Sequence, residues 1–189
     1  MDNAPYDFIK DHSDSDLKGL LGFKHRTFND TDLLYFVHLL NHHYTNHSSL
    51  ESAFTIGMTK KDKDTENALN GFFNYFFSLE DFPLRTHKHI ASPSKNSTCK
   101  RLSMYLRWMV RRDNKGVDFG LWKNISPSQL VCPIDVHVAR VAQRFNLLKR
   151  KMIDWQAALE LSTYLRTLDS KDPVKYDFAL FALGVVEKF

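Results

Sequence analysis

Thr98–Arg112, TCKRLSMYLRWMVRR, is the stretch on which the fold class turns. An α-helix advances about 100° per residue; with Lys100 at zero, Leu102, Tyr105, Leu106, Met109 and Val110 fill an arc from roughly 140° to 280°. Lys100, Arg107 (near 340°) and Arg111 (near 20°) line the opposite side, flanked by Arg101 and Arg112. One face therefore belongs to a core and the other is a row of cations. Five cations and no acid on one helix repel one another, and a phosphate backbone would relieve that repulsion.

The same periodicity runs outward in both directions. Downstream, Cys132–Pro133–Ile134–Asp135 opens a helix over Asp135–Leu148, with Val138, Val141, Ala142 and Phe145 on its buried face and His137, Arg140 and Arg144 on its wet one. Asp135 suits an N-cap, because its carboxylate can accept the orphan N–H groups of the first turn. Held at the positive end of a helix, that carboxylate stays ionised and can stabilise positive charge developing on a substrate. Further helices are predicted over Asp154–Leu168 and, after the Asp172–Pro173 start signal, over Val174–Lys188. Upstream, Thr31 and Asp32 cap Leu33–Tyr44, and Thr65 or Asp64 starts a helix carrying Leu69, Phe72, Phe73, Phe76 and Phe77 at three-to-four spacing. His87–Ser97 reads as a polar loop. Asp113–Gln129 reads as a connection anchored by Val117, Phe119, Leu121 and Trp122. With no alternating strand and no internal repeat, the fold class is all-α, in a single helical domain over residues 1–189.

Composition narrows the function classes. Of 189 residues, 43% are hydrophobic and 25% charged, which excludes a disordered or fibrous chain. Cys99 and Cys132 are too few for a disulfide framework or a four-cysteine iron–sulfur cluster, so no iron–sulfur cluster and no other cofactor is expected. No apolar run approaches the roughly 20 residues of a membrane span, and the N-terminus MDNAPYDFIK lacks a signal core. A cytoplasmic protein without a membrane partner is expected. Residues 1–84 sum to −6, residues 85–151 to +12 and residues 152–189 to −2. A basic block inside an acidic chain points to a polyanion-facing surface.

Other groupings weigh less. His38 and His42 sit one turn apart near His43 and His47, but no third ligand falls at useful spacing, so no metal site is expected. Trp108, Trp122 and Trp155 fit helix–helix contacts more readily than base stacking. The Phe72–Phe77 cluster is core, or an interface left by absent helices. Cys99 lacks a paired base and reads as a structural thiol.

Pro133–Arg144 (PIDVHVARVAQR) resembles the Pro-Val-Asp-x-His stretch of the helix-hairpin-helix DNA glycosylases, the endonuclease III and 8-oxoguanine glycosylase superfamily. Tyr176–Gly184 (YDFALFALG) is similar to their closing Leu-Gly helix. From Phe23 to Phe189 the chain more closely resembles a bacterial family known only as a domain of unknown function. Its signatures are KHRTFNDTDLLYF, SPSKNSTCKRLSMYLRWMVRRD and VDFGLWKNISPSQLVCPIDVHVARV. The glycosylase resemblance implies a helix-hairpin-helix fold, nucleotide flipping and N-glycosidic cleavage, with Asp135 as the carboxylate beside the oxocarbenium-like sugar. It also implies a lysine nucleophile in members that cut the strand. Lys100 matches, 35 residues before Asp135, a spacing nearer that of the archaeal 8-oxoguanine glycosylases, and Lys95 is the alternative.

Two features depart from that pattern. The superfamily's Gly-x-Gly hairpin holds a DNA phosphate, whereas Ser92–Thr98 (SPSKNST) contains no glycine. Both that family and the superfamily have helices upstream of the point where this chain begins, so Met1 reads as an internal start and the helical domain as incomplete at its N-terminus. The expected function is a DNA glycosylase-like repair protein, with duplex DNA as partner and catalytic Asp135 and Lys100. Arg101, Arg107, Arg111, His137 and Arg140 are its expected DNA-binding residues. The alternatives are a non-catalytic nucleic-acid-binding module and a structural protein of the same fold. The oligomeric state is left open.

Overall fold

The computed structural model describes residues 3–186. Two short helices come first. In α1 (Pro5–Asp11), Pro5 occupies the first turn, where its missing N–H costs nothing; in α2 (Asp14–Lys18), Ser13 and Asp16 cap one another. Strands β1 (Lys24–His25) and β2 (Phe28–Asn29) then pair antiparallel, with His25 opposite Phe28 and Arg26 in the left-handed region between them. This small hairpin departs from the strand-free expectation. Two residues per strand present no periodicity to read.

Asn29, one turn earlier than Asp32, caps α3 (Asp30–Asn46), and the pair forms a reciprocal box: Asn29 Oδ1 accepts the Asp32 N–H at 3.3 Å, and Asp32 Oδ2 accepts the Asn29 N–H at 3.0 Å. Next come α4 (Glu51–Thr55) and α5 (Glu66–Phe76). Their close approach needs two glycines, since a Cβ on Gly71 would stand 2.9 Å from the backbone nitrogen of Gly57. Phe54 stacks on Phe72 with centroids 4.0 Å apart, and Phe72, Phe76 and Phe77 are buried, so the phenylalanine cluster is core.

The polar stretch before Lys100 is not featureless. It forms two 3-10 turns, Leu84–His89 and Pro93–Lys95. Buried Asp32 holds the first, accepting from Thr86 Oγ1 at 2.8 Å with Arg85 at 3.4 Å and His89 at 3.2 Å. Asn70 holds the second, its Oδ1 accepting from Ser92 Oγ at 2.7 Å and from the Ser94 N–H at 3.0 Å.

Helix α6 (Lys100–Val110) follows, then an irregular connection. Trp122, Ile125, Leu130, Val131 and Ile134 anchor that connection, whereas Phe119 and Leu121, expected as anchors, are 56% and 66% exposed. The buried residue in their place is Asp118, because a carboxylate and not an apolar group is needed beside the arginines of α6. Helix α7 (Val136–Arg144) stops before the expected Leu148: Asn146 turns left-handed, and Phe145 lies exposed instead of on the buried face. Helix α8 (Trp155–Leu168) starts at Asp154, whose Oδ1 accepts the Ala157 N–H at 2.9 Å. A 3-10 turn (Pro173–Tyr176) leads into α9 (Asp177–Val185), which packs on α7. The predicted end at Lys188 lies outside the described residues. The architecture is all-α, and no helix among the described residues is long and apolar enough to cross a membrane.

Candidate functional site

The site is assembled where the N-termini of α6 and α7 meet the outer face of α9. The chain turns into α6 through Asn96 (φ +58°) and Cys99 (φ +51°), both left-handed. These two residues supply backbone geometry usually assigned to glycine, so the glycine-free Ser92–Thr98 still makes a tight turn. Asn tolerates this region readily; Cys99 does so while 1% exposed, held by its N–H to Ser97 Oγ at 3.2 Å.

Asp135 is the N-cap of α7. Its Oδ1 accepts the N–H groups of His137 and Val138, both at 2.9 Å, and its Oδ2 accepts from Lys100 Nζ at 2.6 Å. The two residues singled out as catalytic are therefore an ion pair. Burial opposes ionisation of the Asp135 carboxyl, but the Lys100 ammonium and the two backbone N–H groups outweigh it and hold the group below the usual carboxylate range. Lys100 Nζ also lies 6.0 Å from the centre of the Phe181 ring on α9.

His137 and Arg140 belong to the same corner. The His137 ring sits edge-on to Phe181 at 6.4 Å, and Arg140 Nη2 donates to the Gly184 carbonyl at 2.9 Å. Gly184 permits this approach, since a Cβ there would stand 2.9 Å from the His137 carbonyl oxygen. Arg101 is exposed next to Lys100.

Arg107 and Arg111 do not join them, which corrects the expected row of exposed cations along α6. Arg107 is 3% exposed, with Nη1 donating to Asp177 Oδ2 at 2.5 Å and Nη2 to Asp118 Oδ2 at 3.3 Å, while Phe178 covers the guanidinium. Arg111 lies just past the end of the helix, grips Asp172 through Nε and Nη2, and donates to Asp118 through Nη1. The acids that the helix lacks come from 7 to 70 residues away in sequence. A helical wheel gives the direction of a side chain, not what packs over it.

Other cations stand in the row's place. A groove of about 550 Å³ runs beside the Ser92–Ser97 turn, lined by Arg85, His87, Lys88 and Lys95. Lys88 and Lys95 are exposed and pair with no carboxylate among the described residues; Lys95 Nζ stands over the Phe73 ring at 4.2 Å. Lys95 was foreseen only as an alternative nucleophile, and Lys88 had no signal beyond the basic composition of its segment.

His43, the two cysteines, Trp122 and Trp155 resolve into structure. His43 has both ring nitrogens engaged, Nδ1 with Tyr75 Oη at 2.8 Å and Nε2 with the Ser49 carbonyl at 3.0 Å, and burial lowers its pKa. Burial pushes the Cys99 thiol up to about 12 against a hydrogen bond to Ser97, and pushes Cys132 well above its ordinary value. Trp155 is buried, with Nε1 donating to Glu66 at 2.8 Å, and Trp122 is 3% exposed, so neither offers a face for stacking.

A family model described as Protein of unknown function (DUF2400) matches residues 1–186. No curated protein and no solved structure matches the chain.

Proposed function

The chain belongs to the DUF2400 family, and we propose that it acts on duplex DNA as an N-glycosylase of base repair. The observation that carries this function is the 2.6 Å contact of Lys100 Nζ with Asp135 Oδ2 at the first turn of α7. Two residues 35 apart in sequence, singled out by resemblance to the helix-hairpin-helix glycosylases, share one corner with exposed Arg101 and Arg140.

The chemistry follows from the geometry. A nucleotide flipped into this corner brings its anomeric carbon toward a carboxylate that is ionised at neutral pH. As the bond from that carbon to the base breaks, the electron pair leaves with the base and positive charge grows on the sugar. Asp135 stabilises that charge electrostatically. Once the base has left, Lys100 gives one proton to Asp135 Oδ2 and the neutral amine attacks the same carbon; a second proton passes from its nitrogen to the ring oxygen as the C1′–O4′ bond breaks, leaving a Schiff base with the opened sugar. Lys88, Lys95 and Arg101 supply the phosphate contacts that orient the duplex.

Borohydride trapping on a panel of lesion-bearing duplexes tests this. The wild-type chain forms a covalent adduct on at least one duplex, Lys100→Gln forms none, and Asp135→Asn releases base at least about 100-fold more slowly, the scale of one preorganised electrostatic contact. Equal base release by wild type and Asp135→Asn removes the role given to the carboxylate.

One observation favours a second function. Both carboxylate oxygens of Asp135 are already engaged within the chain, one by two backbone N–H groups and one by Lys100, as in a structural clasp. A non-catalytic nucleic-acid-binding module accordingly retains DNA at low salt, yields no product, and loses only affinity in Lys100→Gln.

A further inference from the structure

A separate cleft lies away from the Lys100–Asp135 corner. It has a volume of about 960 Å³ and reaches the last residue of α6, Val110, ten residues from Lys100. At 1.5 Å rise per residue that is about 15 Å along the helix. Lys60, Lys63, Lys123 and Arg166 line it, against one carboxylate, Asp62. That carboxylate is turned to its own loop: it accepts the Thr59 N–H at 3.0 Å, Thr59 Oγ1 at 2.9 Å and Asn67 Nδ2 at 3.2 Å.

Arg166 gives the cleft its character. It is half-buried, and its Nε and Nη2 donate to the carbonyls of Ser128 and Leu130, both at 3.1 Å. Among the described residues no carboxylate lies within ion-pairing distance of it. A guanidinium keeps its charge when buried, so this is a fixed positive charge braced by dipoles, with Asp64 acting on it only from beyond ion-pair distance. Lys60 and Lys63 are exposed and likewise unpaired among the described residues. Lys123 Nζ rests on the Gly120 carbonyl at 2.5 Å. The wall opposite is rigidly held: Glu51 Oε1 accepts the N–H groups of Lys123 and Asn124, and Gln129 Nε2 donates to the Asp62 carbonyl. A second hollow of about 360 Å³ shares Lys60 and Asn124 with the cleft, so the space continues past the cations.

We propose that this cleft binds the phosphoryl groups of a phosphorylated ligand, with Arg166 as the fixed cation and Lys60, Lys63 and Lys123 closing on the remaining oxygens. Guanidinium and ammonium groups together match a phosphoryl group's spread of acceptor oxygens. The volume accommodates a group of nucleotide size. The phosphate belongs either to a free polyphosphate or to a phosphodiester strand.

Calorimetric titration of the full chain with pyrophosphate and, separately, with a short lesion-free oligothymidylate tests the site. The wild type binds at least one probe saturably. Lys63→Gln combined with Lys123→Gln, two exposed substitutions that leave thermal unfolding unchanged, weakens that binding roughly tenfold, while Asp135→Asn does not alter it. Binding of pyrophosphate identifies a free polyphosphate as the source, and binding of the oligonucleotide alone identifies a strand. Absence of saturable heat with both probes, or affinity unchanged in the double variant, overturns the proposal. Because neither probe carries a lesion, this outcome is separate from that of the trapping experiment.

Discussion

Asp135 divides its work between two oxygens, one capping α7 and one holding Lys100. The Lys100 side chain is 37% exposed, so solvent screens the ion pair and limits it to about 1 kcal/mol or less. The cap is worth about 1 kcal/mol. Asp135→Asn keeps a cap acceptor and loses the charge, whereas Asp135→Ala loses both; in urea unfolding, alanine is expected to cost about 1 kcal/mol more than asparagine. The pH dependence has a definite sign. A carboxyl held below its ordinary value contributes stability that is present above the unfolded-state pKa of about 3.9 and is lost as pH falls through the lower folded value. The stability gap between wild type and Asp135→Asn is therefore constant from about pH 8 to about pH 5 and narrows below about pH 4. A gap that changes between neutral pH and pH 5 would assign the linkage to another group. The two thiols make a second test at this scale. With Cys99 at about 12 and Cys132 fully buried, neither forms thiolate near pH 8, so a disulfide reagent labels no cysteine in the native chain and both after denaturation.

Between elements, charge is matched across long sequence distances. Arg107 on α6 stands between Asp118 of the connection and Asp177 at the start of α9. Replacing it with methionine leaves buried carboxylates short of a partner, at an expected cost of about 3–5 kcal/mol in urea unfolding. Burial raises the Asp177 carboxyl and Arg107 opposes that rise. Without the guanidinium the folded-state pKa climbs further above the unfolded one, so the penalty is full at neutral pH and shrinks as pH falls through the folded value. Arg101→Gln, on the exposed side of the same helix, leaves stability within about 0.5 kcal/mol. Gly184 is the other inter-element hinge point. Alanine there collides with the His137 backbone and must move α9 off the first turn of α7, taking Phe181 and the Arg140 contact with it. Gly184→Ala is expected to be destabilising by about 1–3 kcal/mol despite alanine's better helix propensity, with a fall in DNA affinity read in the same preparation. Wild-type stability in that variant would show that the helices have room to spare.

Across the whole molecule, what could be read from the sequence was what is local. Helix periodicity, the cap at Asp135, the start of α8 near Asp154, and the apolar arc of α6 follow from spacing and side-chain chemistry within a few residues. Lys100 and Asp135 were singled out instead through resemblance, and their ion pair was not foreseen, since no spacing rule joins residues of separate helices. The fates of Arg107 and Arg111 were illegible because their partners arrive through tertiary packing. That packing also changes how the +12 of residues 85–151 counts toward a polyanion. Arg85, Lys100, Arg107, Arg111 and Arg150 of this block are already paired with carboxylates of the chain. Around the candidate site, the cations without such a partner among the described residues are Lys88, Lys95, Arg101 and Arg140. Each phosphate neutralised contributes about −0.9 to the slope of log K against log salt, so three to four contacts give a slope of about −3 to −4. Filter binding to a lesion-free duplex across a salt series measures it directly. A slope near −3 to −4 that falls by about one unit in Arg101→Gln places the duplex on this face. A much steeper slope would mean that the internal ion pairs open on binding, and a flat one that the chain's basic block meets no DNA at all.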